Sequence, residues 1–282
     1  MALSILNNIP SLIAENQLST TNSNLQNTLT QLSSGSRINS GADDAAGLAI
    51  ANGLEANVTA LTQSVANAND GVGALQVADG ALGQVTTLLN RAVTLATEAS
   101  TGTVSSAQRG ALDDEYQQIL DQIDSIGQNT TFNGATVFDT ANTSTTSIFL
   151  SDSTTAGTNT IGVSVSALST TALSLNGTAL TGTPGSTGSS DPEATLSAIN
   201  TAISTVALDR GTIGAGINRL QAASNVLNNE IQNVTAAEDQ ITAADIPTVV
   251  ANLSKYSILE QTGISAVAQA NTSQQLVLNL LH

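Results

Sequence analysis

Ile199, Val206, Ile213, Leu220, Leu227, Val234 and Ile241 put a branched aliphatic side chain at every seventh position. A second row, Ile203, Arg210, Ile217, Ser224, Ile231 and Glu238, runs four residues behind it and alternates apolar with polar. Two such rows form the 3-4 seam of a helix that packs lengthwise on another helix. Polar layers weaken such a seam but fix its register and partner. The first half of the chain carries a matching seam. It reads Leu54, Val58, Leu61, Val65, Ala68, Val72, Leu75, then Ala78, Leu82, Val85, Leu89, Ala92, Ala96, Ala99. Between Leu75 and Ala78 the pattern takes a short step, as a stammer does. Leu112, Tyr116, Ile119, Ile123 and Ile126 mark a third, shorter helix. These three helices are predicted to form one elongated bundle, two from the first half of the chain and one from the second.

The two ends repeat the helical pattern with almost no charge. Residues 1–36 hold only Glu15, and Leu18, Leu25 and Leu32 recur at seven with Leu29 between. Residues 246–282 hold Lys255, Glu260 and His282, with Val249, Leu253, Tyr256, Val267, Leu276 and Leu280 as apolar positions. Ordering a backbone costs conformational entropy at every residue, and only buried apolar area offsets it. A lone pair of such helices buries one stripe each. The termini are therefore expected to stay unfolded in a single chain and to fold when identical neighbours cover their other faces. Leu18, Leu25, Leu32, Leu253, Val267, Leu276 and Leu280 are the expected polymerisation seams.

Between the helical halves the pattern changes. Phe132, Asn133-Gly134 and Val137 read as a hairpin with a primed turn. Residues 139–191 are rich in Ser, Thr and Gly, with alternation at Ile161, Val163 and Val165 and again at Leu173 and Leu175 before Asn176-Gly177. That predicts a small β-rich domain with few core residues, projecting from the bundle. The expected fold is mainly α. Residues 1–42 with 245–282 form a terminal helical domain, 43–138 with 192–244 form the bundle, and 139–191 form an exposed insert.

Composition narrows the function. Acids outnumber bases 22 to 6 in 282 residues, a formal net charge of −16, so no basic patch for nucleic acid can form and anionic membranes repel the chain. Aromatics are 2%, so aliphatic seams must carry the packing. There is no cysteine and no apolar run long enough to span a bilayer, so no membrane insertion is expected. The first residues lack the positive region and unbroken apolar core of a Sec-type signal, which leaves retention or another export route.

The stretch SSGSRINSGADDAAGLAIANGL, residues 33–54, is where a site is most easily suspected. Its glycines match neither a dinucleotide fingerprint nor a P-loop. Asp43 and Asp44 are adjacent, so on a helix they diverge by about 100° and cannot converge as acid and base. They suit a helix start, with Ser40 three residues before Asp43, or a pairing with Arg37. Gly35 and Gly41 bend the chain between terminal helix and bundle. The stretch reads as a joint made by Arg37, Asp43 and Asp44. His282 is the only histidine, so no metal site or catalytic triad, and no cofactor, is expected.

LSSGSRINSGADDAAGLAIANGL, ANDGVGALQVADGAL, QIDSIGQNTTFNG and AVAQANTSQQLVLNLL together resemble the terminal regions of bacterial flagellins. The resemblance covers roughly residues 1–138 and 195–282, with several motifs in the right order, and leaves the middle segment uncovered. It implies a flagellar filament subunit used for motility. Paired termini would line an inner tube, the bundle would form the next shell, and the insert would face outward. It implies secretion, unfolded, through the flagellar type III apparatus into an extracellular filament. Its partners would be identical subunits, an export chaperone, the filament cap and hook-associated proteins. Members of the family can be sensed by the host innate receptor TLR5. The matching positions here are Arg91, Leu95 and Glu115, which the residues themselves read as subunit-packing or solvated charges. Glycosylation within 139–191 is another family property, and Asn142 and Asn176 begin sequons that arise readily by chance. The same resemblance admits a hook–filament junction protein, and the Ser/Thr-rich insert admits an added adhesive role. No catalytic constellation is present, and the insert holds no HExxH, so an enzyme is not expected.

Overall fold

The computed structural model describes residues 8–139, 144–151, 160–186 and 188–279. In chain order they form α1 (Ile9–Ser34), α2 (Ala45–Ala99), α3 (Ser106–Asn129), β1 (Thr131–Phe132), β2 (Ala135–Thr136), β3 (Ser144–Phe149), β4 (Thr160–Val165), α4 (Pro192–Thr242) and α5 (Ile246–Asn279). The chain separates into two compact units, one of residues 58–232 and one of residues 1–57 with 233–282. The mainly helical fold with a small β insert follows the seams read from the sequence.

In the 58–232 unit the heptad positions are the core. On α2, Leu61, Ala68, Leu75, Ala78, Leu82, Val85, Leu89, Ala92, Ala96 and Ala99 are all buried, and the helix runs unbroken through the step at Leu75–Ala78. On α4 the row Ile199, Val206, Ile213, Leu220 and Leu227 is buried. Tyr116, Ile119, Leu120 and Ile123 of α3 complete the cluster. Many of the α2 contacts are alanines, which let helix backbones approach closely and leave Leu and Ile to fill the seam. Each fully buried aliphatic side chain contributes about 1.5–3 kcal/mol. α3 begins with a capping box the periodicity did not reveal. The Ser105 side chain receives the Gln108 N–H, and the Gln108 side chain receives the Ser105 N–H.

The predicted hairpin is β1–β2. Thr131 pairs with Thr136 and Phe132 with Ala135, and Asn133 and Gly134 take positive φ of 50° and 78° as a type I′ turn requires. β4 contains the alternation at Ile161, Val163 and Val165, paired antiparallel to β3 from Ser144↔Val165 to Phe149↔Thr160. The alternation at Leu173 and Leu175 forms no strand. Both side chains are buried, but the segment turns irregularly, with Ser174 at φ 58° and Gly177 at φ 76°. The Leu173 and Leu175 N–H groups donate to the Ser169 and Thr170 carbonyls of local turns, and the segment's ends are held by α3. Asp124 accepts from the Thr170 N–H at 2.7 Å and the Thr170 hydroxyl at 2.9 Å, and Asp113 accepts from the Leu180 N–H at 2.7 Å.

The described apolar residues of 139–191 share the core of the helices. Ile148, Val163, Val165, Leu168, Leu173, Leu175 and Leu180 join the cluster of the helices. Three helical glycines make the seat. A Cβ at Gly71 would overlap Ile148, one at Gly216 would meet Val163 Cγ1 at 2.7 Å, and one at Gly127 would overlap the Leu168 carbonyl. The Tyr116 hydroxyl and the Thr178 hydroxyl, 2.6 Å apart, and a bond of 2.6 Å from Ser166 to Asp209 pin the same segment.

In the other unit α1 and α5 pair antiparallel. Asn8 donates to Asn271 at 3.0 Å at one end, and Ser36 bridges Ala243 at the other. Leu18, Leu25 and Leu32 are half-buried, Thr21 and Thr28 are buried between them, and Ser11 is buried one heptad before Leu18, so the α1 seam alternates leucine with hydroxyl layers. Thr21 and Thr28 donate to Gln17 and Asn24 carbonyls of their own helix, at 2.8 and 2.7 Å. On α5, Val249 is buried and Leu253, Tyr256, Gly263 and Val267 are half-buried. Leu18 lies over Gly263, where a Cβ would sit 3.1 Å from Leu18 Cδ1.

Candidate assembly interface

The joint of residues 33–54 is built from backbone and caps. Gly35 ends α1 in the left-handed conformation at φ 71°, its N–H donating to the Gln31 carbonyl. Gly41 needs no positive φ and sits in a second turn, closed by the Asp43 N–H donating to the Ser40 carbonyl at 3.1 Å. Residues 35–37 then run beside residues 242–244. The Arg37 N–H donates to Thr242 at 2.7 Å and the Ala244 N–H to Gly35 at 2.9 Å. The Arg37 guanidinium donates to the Ile241 carbonyl at 2.9 Å, at the negative end of α4. It therefore serves the end of α4 and pairs with neither Asp43 nor Asp44.

The two aspartates divide the work. Asp44 caps α2, accepting from the Gly47 N–H at 2.8 Å. Asp43 looks backward and accepts from the Asn39 N–H, the Ser40 N–H and the Ser40 hydroxyl at 3.1, 2.9 and 3.0 Å. The Asn39 and Ser40 bonds hold the Asp43 carboxyl below the ordinary carboxylate range. Ser40 therefore closes the turn before the helix and is not its cap.

The terminal helices expose large apolar side chains on the faces turned away from their seam. Ile9, Leu12, Ile13 and Leu29 of α1 and Ile246, Val250, Ile258, Ile264 and Leu276 of α5 are all exposed. Of the expected polymerisation positions, Leu18, Leu25, Leu32, Leu253 and Val267 line the α1–α5 seam. Leu276 is exposed, and Leu280 lies outside the described residues. Of the exposed positions, Leu276 is among those expected, whereas Ile9, Leu12, Ile13, Ile246, Val250, Ile258 and Ile264 carry no seven-residue leucine repeat to mark them.

Arg91, Leu95 and Glu115 come together, but in different layers. The Arg91 guanidinium grips Glu115 with two bonds, 2.7 and 3.0 Å, tying α2 to α3 at the surface. The pair raises the Arg91 pKa and lowers that of Glu115. Leu95 is 1% exposed and belongs to the core beneath, so it presents no side chain to a partner. A second bidentate pair, Arg210 to Asp79 at 2.7 and 3.2 Å, ties α4 to α2 in the same way. The sequence marked Arg210 as a polar layer, but Asp79 lies outside the α2 seam and its partnership was not legible. Of the sequons, Asn176 is exposed in a turn, and Asn142 lies outside the described residues.

Two family models match the chain. Residues 5–143 fit the bacterial flagellin N-terminal helical region and residues 196–281 the bacterial flagellin C-terminal helical region. A flagellin of Halalkalibacterium halodurans is 32% identical over 278 residues, 98% of this chain and 99% of that protein. A flagellin of Listeria innocua is 29% identical over 281 residues, 98% of each. The crystal structure of Bacillus cereus flagellin, 28% identical, superposes with a TM-score of 0.47 over 61% of this chain and 94% of that one. With both helical regions matched in order and a relative spanned nearly end to end, the chain belongs to the bacterial flagellin family.

Proposed function

We infer that this chain is the self-polymerising subunit of a bacterial flagellar filament. The observation that carries it is the pair of terminal helices with apolar residues exposed away from their seam. Such faces cost solvation in a lone chain and are covered when identical subunits stack around a common axis. The role is mechanical, and the family is a structural one rather than a family of enzymes. The filament is extracellular, and the subunit leaves the cell unfolded through the flagellar type III apparatus. A chain with no cysteine passes such a channel free of cross-links. The export chaperone, the filament cap and the hook-associated proteins are its further partners. TLR5 would read the exposed Arg91–Glu115 pair, with Leu95 supporting the helix from below. The decisive experiment is electron microscopy of purified chain seeded with fragmented filaments. Long filaments are expected, and loss of residues 1–30 or 255–282 is expected to abolish them. Polymerisation of either truncated chain at normal yield would remove the termini as assembly elements. Caps or short junctions in place of long filaments would favour the hook–filament junction protein, which no relative described above supports.

A further inference from the structure

One face of α4 has no partner among the described residues. Leu208 is 74% exposed and Val226 is 64% exposed, among the most exposed large apolar side chains of the described residues. They are eighteen residues apart, five helical turns and about 27 Å, so they lie on one line along the helix. Ala215, Arg219 and Ala222 lie on that line between them, all exposed. This stripe belongs to the 58–232 unit.

Charge says what fits there. Residues 210–229 contain two arginines and no acid, in a chain whose net charge is −16. Arg210 is committed to Asp79. Arg219 has no hydrogen bond or ion pair among the described residues. The opposite case is α3, where residues 111–125 contain five acids and no base. Asp113 and Asp124 hold the insert and Glu115 holds Arg91. Asp114 and Asp121 remain exposed and without a partner among the described residues, two turns apart on one side of the helix.

We propose that the α4 face bearing Leu208, Ala215, Arg219, Ala222 and Val226 docks on the α3 face around Asp114 and Asp121 of a second copy of this chain. This rests on the filament reading and names one of its subunit contacts. Alanines let the two helices approach, Leu208 and Val226 close the ends of the contact against water, and Arg219 reaches an aspartate in the middle. A contact between two different faces is heterologous, so it propagates along a polymer instead of closing a dimer.

Elongation from wild-type seeds, read by sedimentation as a critical concentration, tests it. Arg219→Glu is expected to raise that concentration about tenfold or more, because like charges then face each other. The same chain carrying Asp114→Arg and Asp121→Arg as well is expected to recover to within about threefold of wild type. Circular dichroism of each variant monomer checks that the bundle remains helical. Elongation of Arg219→Glu at the wild-type concentration overturns the contact, and so does failure of the charge-reversed chain to recover. In both cases wild-type filaments still grow, so the filament reading stands. Wild-type chain that never elongates would instead sink that reading, and this contact with it.

Discussion

At Gly127 a hydrogen atom stands where any other residue would drive a Cβ into the Leu168 carbonyl. The obstacle is backbone, which cannot swing aside as a flexible side chain does. Gly127→Ala is expected to destabilise the bundle by about 1–3 kcal/mol in denaturant unfolding. Gly80→Ala on α2 has open space around it and is expected to stabilise by about 0.5–1 kcal/mol, from helix propensity alone. Equal effects at both sites would mean the insert does not press on α3. Asp43 supplies a pH-dependent residue. Its carboxyl is held below the ordinary range, so its stabilising contribution is complete above about pH 4 and is lost as acid protonates it. Asp43→Asn should therefore lower the melting temperature at pH 6, by a margin that shrinks as the pH falls below about 4. A gap between the two that stays constant down to pH 2 would rule out the charged turn.

Among the elements, α1 is expected to form in the single chain already, paired with α5, and its seam is partly polar. Its seam alternates half-buried Leu18, Leu25 and Leu32 with buried Thr21 and Thr28, whose hydroxyls bond to their own helix. Those hydroxyls satisfy themselves and attract nothing across the seam. Thr21→Val with Thr28→Val keeps the shape and adds apolar contact worth about 1 kcal/mol per site. The double variant is expected to raise the helicity of unpolymerised chain by circular dichroism, and an unchanged spectrum would show that the polar layers are not what limits the terminal pair. The leucine repeat was legible from spacing alone. Which residues fill the other half of the seam was not, because Ser and Thr give no hydrophobic signal. The same limit hid β3, whose sequence STTSIF has little alternation until β4 pairs with it.

For the whole molecule, the insert is the element whose standing changes most. Its Ser/Thr-rich sequence suggests a separable outer module. Yet its leucines and valines share the core with the helices, and Asp113, Tyr116, Gln117 and Asp124 of α3 bind its backbone or hydroxyls. Deleting residues 139–191 is therefore expected to uncover Tyr116 and Ile123 and to lower the unfolding free energy of the bundle by several kcal/mol. Unfolding at the wild-type denaturant midpoint would restore the separable module. For an adhesive role this means the insert cannot be removed without disturbing the bundle, so a test by deletion must be replaced by substitution of its exposed side chains.

Heptad spacing by itself determined the three bundle helices and the terminal pair, and the Asn133-Gly134 turn signal determined the hairpin. Burial of an apolar stripe and the positive φ of a two-residue turn are both local demands, written in consecutive residues. The order of its motifs was likewise enough to mark the family. Only the tertiary structure decided that Arg37 serves the end of α4, that Asp79 is the partner of Arg210, and that Leu95 is core while Arg91 and Glu115 are surface. It alone set the insert on glycines from three helices and left Arg219 without a partner among the described residues. Each of these depends on which residues, distant in the chain, arrive at the same place. One-dimensional spacing carries no record of that arrival, because the approach is fixed by the packing of whole helices rather than by any single stretch of sequence.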